Sequence, residues 1–187
     1  MRILWAARAE HDKNPRDFFK ALKHLKAEGI DFRLSVIGAR FREVPDVFAW
    51  AKDFFAEHID RWGYQQEPAD YAAALLEADV FVSTASHEFF GLSAAEAIAA
   101  GAFPLLPRRL SYPELVESIS STKPNEFFYD GSIRHLARRL TQLAKLVETD
   151  RLLMPDKLRG ARGMELLWWQ NLAPILDGAL RHLAPLH

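Results

Sequence analysis

The stretch Glu88-Phe89-Phe90-Gly91-Leu92-Ser93-Ala94-Ala95-Glu96 sets two carboxylates on either side of a helix start. Glu88 falls in the loop and Glu96 about one turn into the helix. Gly91 lets the backbone come close to a ligand, with Phe90 beside it, and the N–H groups around Leu92 and Ser93 offer a phosphate an anion site at the positive end of the helix dipole. Two separated acids can accept hydrogen bonds from sugar hydroxyls at two points of one bound molecule. The alternative is that Glu88 caps the helix and Glu96 faces water. An apolar strand before the pair and an Ala-rich helix after it, neither reading as exposed surface, favour the site.

A second group is Arg8-Ala9-Glu10-His11-Asp12-Lys13-Asn14-Pro15, between the first strand and the first helix. Arg8 and Lys13 can reach back over the strand ends. A forked donor and a compact cation suit the charge that a diphosphate leaving group gains as its bond to a sugar breaks. The same residues would also make an ordinary charged loop with internal ion pairs. In Trp62-Gly63-Tyr64-Gln65, Gly63 and Tyr64 can take a flat base by backbone hydrogen bonds and stacking, or form a plain tight turn. Gly38 can simply end its strand. His87 either points into the site beside Glu88 or terminates the strand before it.

The sequence excludes other chemistries. It has no Gly-x-Gly-x-x-Gly dinucleotide fingerprint, no phosphate-binding Gly-x-x-x-x-Gly-Lys-Ser/Thr and no Gly-x-Ser-x-Gly nucleophile turn. None of the seven histidines has the helical spacing with a glutamate that marks a zinc protease, and no Asp-x-Asp pair offers a divalent metal a place beside a sugar diphosphate. The expectation is a metal-free diphosphate site. There is no cysteine, hence no disulfide and no thiolate chemistry, which fits a reducing compartment with cytoplasm as the default. With 24 Lys and Arg against 25 Asp and Glu, net charge is −1, so charge as a whole does not argue for a polyanion partner, although a local basic patch stays open.

These residues must be positioned by a scaffold, and 187 residues with 49% hydrophobic content suffice for one domain with a helical extension. No apolar run reaches the length of a membrane span, and Met1 to Trp5 lacks the apolar core of a signal peptide. The opening residues read at once as a buried strand, as an excised domain would begin. Periodicity predicts strands at Arg2 to Ala6, Phe32 to Ile37, Ile59 to Trp62, Val80 to Ser83 and Ala102 to Leu106, the last of the series. Helices alternate with them at Pro15 to Glu28, Val47 to Glu57, Ala69 to Glu77 and Leu92 to Ala100. Short apolar strands separated by helices imply an α/β fold, a doubly wound parallel sheet in one domain over 1–150, with ligands at the carboxyl ends of the strands. In the extension, 151–187, apolar residues at 168, 169, 172, 175, 176, 180 and 183 keep helical spacing, interrupted by Pro174. Packing on its own domain is the preferred reading, and a homodimer through an exposed apolar face is the other.

From Ile3 to about Pro107 the chain resembles the C-terminal domain of family-four retaining glycosyltransferases of the GT-B fold. Arg8 and Lys13 look like that family's diphosphate pair, Trp62-Gly63-Tyr64 like its base-contacting turn, and Glu88 to Glu96 like its two glutamates with seven residues between. Ile3-Leu4-Trp5, Glu10 to Pro15, Phe18-Phe19-Lys20, His87 to Gly91 and Tyr112-Pro113-Glu114 are similar to the tRNA-queuosine alpha-mannosyltransferase branch. Alanines at 6, 7 and 9 depart from the larger residues common there. The resemblance implies a Rossmann-like donor-binding domain and a GDP-mannose donor. Arg8, Lys13 and the N–H groups of Gly91 to Ser93 would hold the diphosphate, with Glu88 at the sugar hydroxyls and Glu96 at the ribose. It also implies a missing N-terminal acceptor domain, through which tRNA would be engaged, and front-face displacement in which the protein supplies orientation and charge stabilisation. Rival readings are a nucleotide-sugar binder without turnover, a family-four enzyme with another donor and a glycan or lipid acceptor, an epimerase of like architecture and a receiver domain. The last two lack their acidic or histidine sets here.

Overall fold

The computed structural model describes residues 1–39, 44–117, 124–149, 152, 164–165 and 169–183. Strand β1 (Arg2–Ala6) buries every side chain after Arg2, because a strand with neighbours on both edges and helices on both faces has no side left for water. Asn14 turns the chain through a left-handed conformation (φ 48°), and Pro15 opens α1 (Pro15–Ala27), where its missing N–H removes no helical bond. Phe18, Phe19, Leu22 and Leu25 recur on one face of α1 and are fully buried. The alternation continues through β2 (Arg33–Ile37), α2 (Val47–Phe54), β3 (Ile59–Gly63), α3 (Pro68–Glu77), β4 (Val80–Val82), α4 (Leu92–Ala99) and β5 (Phe103–Pro107).

Two expectations need correction. The second helix ends at Phe54 rather than Glu57: Phe55 is fully buried against Phe19 and Phe32, so the chain turns inward and continues as a single 3-10 turn, Ala56–His58. The strand after α4 is not the last. Beyond it come α5 (Tyr112–Glu117), β6 (Phe128–Tyr129) and α6 (Ile133–Glu148). Leu106 and Pro107 of β5 pair in parallel with the two residues of β6, too short a segment for any period to show. Ser132 caps α6 by accepting the His135 N–H, and α6 buries Leu136, Leu140 and Leu143 on its packed side.

Among the described residues the sheet has the order β3-β2-β1-β4-β5-β6, with every pair parallel. The order reverses between β1 and β4. The loops after those two strands therefore part toward opposite faces and leave a crevice at their carboxyl ends. Beneath it Trp5 stacks on Phe18 at 6.1 Å, and Trp62 on Phe19 at 6.0 Å with Phe48 against its edge at 6.3 Å. Fully burying a side chain such as Phe18 or Phe19 contributes about 1.5–3 kcal/mol, so this aromatic layer firmly fixes the strand ends that carry the loops.

Helix α7 (Trp169–Leu183) runs through Pro174 instead of being broken by it. The proline is exposed, where a displaced carbonyl can turn to water. Ile175 and Leu176 are exposed as well, 69% and 46%, rather than packed on the domain. Residue 168, which opens the apolar series of the extension, lies outside the described residues. Among the described residues no helix is long and apolar enough to cross a membrane.

Candidate functional site

Three loops meet over the crevice and are tied to one another by hydrogen bonds, those of Thr84 buried. Thr84, after β4, donates its hydroxyl to the Lys13 carbonyl at 2.8 Å and accepts the Trp5 indole N–H at 3.4 Å. Ser86 gives both its N–H (2.7 Å) and its hydroxyl (2.9 Å) to the Asp12 carbonyl. From the loop after β5, Arg109 donates Nε to the Ala85 carbonyl at 3.1 Å and Nη2 to that of Thr84 at 3.3 Å. The bonds of Thr84 and Ser86 join segments more than 70 residues apart along the chain, and those of Arg109 add the loop after β5.

Lys13 is thereby drawn inward. Only 7% exposed, its Nζ donates to the His87 carbonyl at 2.6 Å and lies 3.3 Å from both Glu88 Oε2 and Asp12 Oδ2. A lysine so deeply placed and so fully surrounded by acceptors is a fixed point charge, not a solvated loop residue. Arg8 differs: its side chain is about half exposed and 3.3 Å from Glu10. His87 contributes its backbone carbonyl to this arrangement.

Opposite stands α4. Gly91 precedes it in the left-handed conformation (φ 87°), and no side chain caps its first turn, so the N–H groups of Leu92 and Ser93 are uncommitted to a cap. A Cβ on Gly91 would stand 3.0 Å from the Tyr112 ring, so the glycine serves contact with Tyr112 as well as the turn. Tyr112 is itself fixed by a 2.6 Å hydrogen bond to Ser83, and burial pushes its phenol up to about 12.

A cleft of about 380 Å³ brings together Arg8, Lys13, Glu88, Leu92, Ser93 and Glu96. Gly63 is not on its wall; it lines an adjoining water-sized recess of about 20 Å³ with Trp5, Phe48 and Trp62. Tyr64 and Phe90 are exposed, 66% and 49%, and neither they nor the buried Gly91 line the cleft. The cleft floor is made of small residues, Ala6, Ala7, Gly38 and Ala39. Gly38 does more than end a strand. At φ 142° its missing side chain makes room for the Ala7 carbonyl, on which a Cβ would fall. Among the described residues no group of three or more His, Asp or Glu side chains could hold a metal ion.

Tyr71, on α3, was not foreseen. Its hydroxyl donates to Glu96 Oε2 at 2.6 Å and the residue lines the cleft. Burial, followed by the bond to Glu96, pushes the phenol well above its usual range, so it stays a donor. Among the described residues it is the hydrogen-bond partner that orients this carboxylate, leaving acceptor capacity for a ligand diol. No local spacing links the two, since they sit on different helices 25 residues apart. Tyr71→Phe is expected to keep the fold and to weaken binding of a ligand held through Glu96 by about 5- to 20-fold, less than the full worth of a hydrogen bond to a charged group, because Glu96 loses its orienting partner and not its bond to the ligand. Calorimetric titration with a nucleoside diphosphate, compared with its 2′,3′-dideoxy form, checks this: the dideoxy ligand should bind both proteins equally.

The profile of the family described as Glycosyl transferases group 1 matches residues 2–153. A Drosophila melanogaster protein, tRNA-queuosine alpha-mannosyltransferase, is 34% identical over 132 residues, 71% of this chain. The chain spans 33% of that relative's length. Among solved structures, the catalytic domain of cholesterol-alpha-glucosyltransferase from Helicobacter pylori superposes with a TM-score of 0.68 at 13% identity, over 90% of this chain and 99% of that one. The pneumococcal O-GlcNAc transferase in complex with UDP and GlcNAc superposes with a TM-score of 0.71 at 13% identity, over 97% of this chain and 35% of that one. At such identities the structures speak for the fold, and the sequence match speaks for kinship: this chain belongs to the group 1 glycosyl transferases.

Proposed function

We propose that this chain is the donor-binding domain of a retaining glycosyltransferase that takes mannose from GDP-mannose and places it on queuosine-modified tRNA. The observation that carries the donor reading is the convergence of Lys13, Glu88, Glu96 and the uncapped start of α4 on one cleft at the reversal of the sheet. The queuosine reading draws on the Drosophila relative. Lys13, Arg8 and the N–H groups of Leu92 and Ser93 hold the diphosphate, neutralising it without a divalent cation. Glu88 accepts from the sugar hydroxyls, Glu96 from the ribose, and the base lies toward Gly63 and Tyr64. As the bond between the anomeric carbon and the phosphate oxygen breaks, the acceptor oxygen bonds that carbon from the same face. Its proton passes to the departing diphosphate, and anomeric configuration is retained. The acceptor side belongs to sequence outside this chain, which spans a third of the relative, so the isolated chain binds donor without turning it over.

A melting series with GDP, UDP and ADP tests the donor. GDP at about 100 times its Kd should stabilise the fold by about 2.7 kcal/mol, or roughly 5–10 °C, with smaller shifts for UDP and ADP and no change on adding EDTA. No shift with any of the three rejects the donor site, a larger shift with UDP rejects GDP-mannose, and loss of the GDP shift in EDTA rejects the metal-free diphosphate site.

A further inference from the structure

The charge of the chain is divided unevenly in space. Helices α1 and α6, packed side by side, hold eight of the 24 Lys and Arg and two of the 25 Asp and Glu, so together they stand at +6 while the remainder of the chain stands at −7. Between them runs a groove of about 590 Å³, larger than the donor cleft, whose walls include His24, Arg134, Arg138 and Lys145. The acid in that wall, Glu28, is held by the Thr141 hydroxyl at 2.9 Å. Arg134, Arg138 and Lys145 fall at i, i+4 and i+11, one stripe about 16 Å long on α6. All three are exposed, and among the described residues none has a side-chain hydrogen-bond or ion-pair partner.

Like charges one turn apart, as Arg134 and Arg138 are, work against a helix. A solvated face that served only solubility would interleave signs; this one concentrates a single sign in a concavity. We infer that the α1–α6 groove is a docking surface for the phosphodiester backbone of an RNA, whose target nucleoside is thereby brought to the donor cleft. The inference rests on the RNA part of the functional reading and adds that this domain, not the acceptor side alone, holds the RNA. Helix α1 joins the two places: Lys13 of the cleft stands two residues before it, and His24 of the groove wall lies about 16 Å further along it. A duplex strand carries one phosphate per 3.4 Å, so the stripe spans several in succession. An anionic membrane surface fits less well. A helix that lies on lipid needs a broad free apolar face, whereas that of α6 is spent on the core, with Leu136, Leu140 and Leu143 buried.

The test is binding of a fluorescently labelled RNA hairpin, an anticodon stem and loop, to the 187-residue chain across a salt series, beside vesicles containing about one third phosphatidylserine. The triple variant Arg134→Gln, Arg138→Gln, Lys145→Gln should bind the hairpin at least 10-fold more weakly at low salt. Its slope of log K against log salt should be shallower by about 2 to 3, near one per lost phosphate contact. Lys52→Gln, on α2, should change affinity less than 2-fold. The GDP melting shift should be unchanged in both, and it separates the readings: a groove effect without a GDP shift leaves the groove standing and rejects the donor site. Affinity for the hairpin within 2-fold of wild type in the triple variant overturns the groove, as does an unmodified chain that fails to bind the hairpin at low salt. A triple variant that loses vesicle binding and keeps RNA binding overturns it in favour of a lipid surface. If the triple variant does not melt cooperatively, Arg138→Gln and Lys145→Gln singly must each lower the slope by about one, and an unchanged slope in both overturns the proposal.

Discussion

Lys13→Met should lower GDP affinity by about 10- to 100-fold, the largest loss of any cleft substitution that leaves the fold intact. The ammonium is the buried cation of the cleft, at 7% exposure, and it is already held in place by the His87 carbonyl, so no side-chain entropy remains to be lost on binding. A charge-assisted hydrogen bond of this kind contributes about 1.5–3 kcal/mol, which is the stated range of affinity. Methionine keeps the apolar stem and its packing. The folded protein still loses the partner of Glu88 and Asp12, but those side chains are 22% and 30% exposed and can turn to water, so the expected cost in stability is only about 1–2 kcal/mol. Calorimetric titration with GDP and a melting curve measure both effects, and GDP affinity within 2-fold of wild type would show that Lys13 is a structural tie rather than a ligand. Arg8→Ala should weaken GDP by less, because a half-exposed guanidinium already paired with Glu10 gives up more of its attraction to solvent.

Gly38→Ala is expected to have the largest effect on stability, about 3–5 kcal/mol, or roughly 6–20 °C in Tm. The added Cβ would fall on the Ala7 carbonyl, which is backbone and cannot swing aside. Nor can either segment retreat cheaply. Ala7 donates its N–H to Ile37 at 3.1 Å, Gly38 to Gly63 at 3.2 Å and Ala9 to Ala39 at 3.0 Å, so moving one loop breaks the ladder across three strand ends. Ala7 and Gly38 both line the cleft, and GDP binding should fall along with stability. Gly29→Ala is the control. It too has positive φ (70°), but nothing lies within 4 Å of the added Cβ, so only the conformational cost of about 1 kcal/mol applies. Denaturant unfolding of the two variants decides the matter: equal losses would mean that backbone conformation, not the close approach to Ala7, governs position 38.

What local chemistry dictates was readable along the chain. The period of Phe18, Phe19, Leu22 and Leu25, the proline at the start of α1 and the glycines at φ 70° and 93° after α1 and α4 set the helices and their ends, because capping and amphipathicity act over a few residues. The alternation of those helices with apolar strands determined the doubly wound sheet, and with it which loop ends would meet. Glu88 and Glu96 were legible as a pair since both belong to one loop and the helix it enters. Other features have no local signature. β6 is two residues long, and its existence depends on the edge that β5 offers. Tyr71 meets Glu96 because two helices pack, and Lys13 meets His87 and Glu88 because β1 and β4 are neighbours in the sheet though Lys13 and His87 are 74 positions apart in the chain. Gly38 looked like a strand terminator until the approach of Ala7 gave its missing Cβ a reason. The sequence by itself determined which groups this protein owns and the fold that carries them. The tertiary structure alone decided which of them share the cleft, that the lysine is buried and the arginine is not, and that the cations of α6 border a groove against α1, because distances across packed elements are set by the core and not by spacing along the chain.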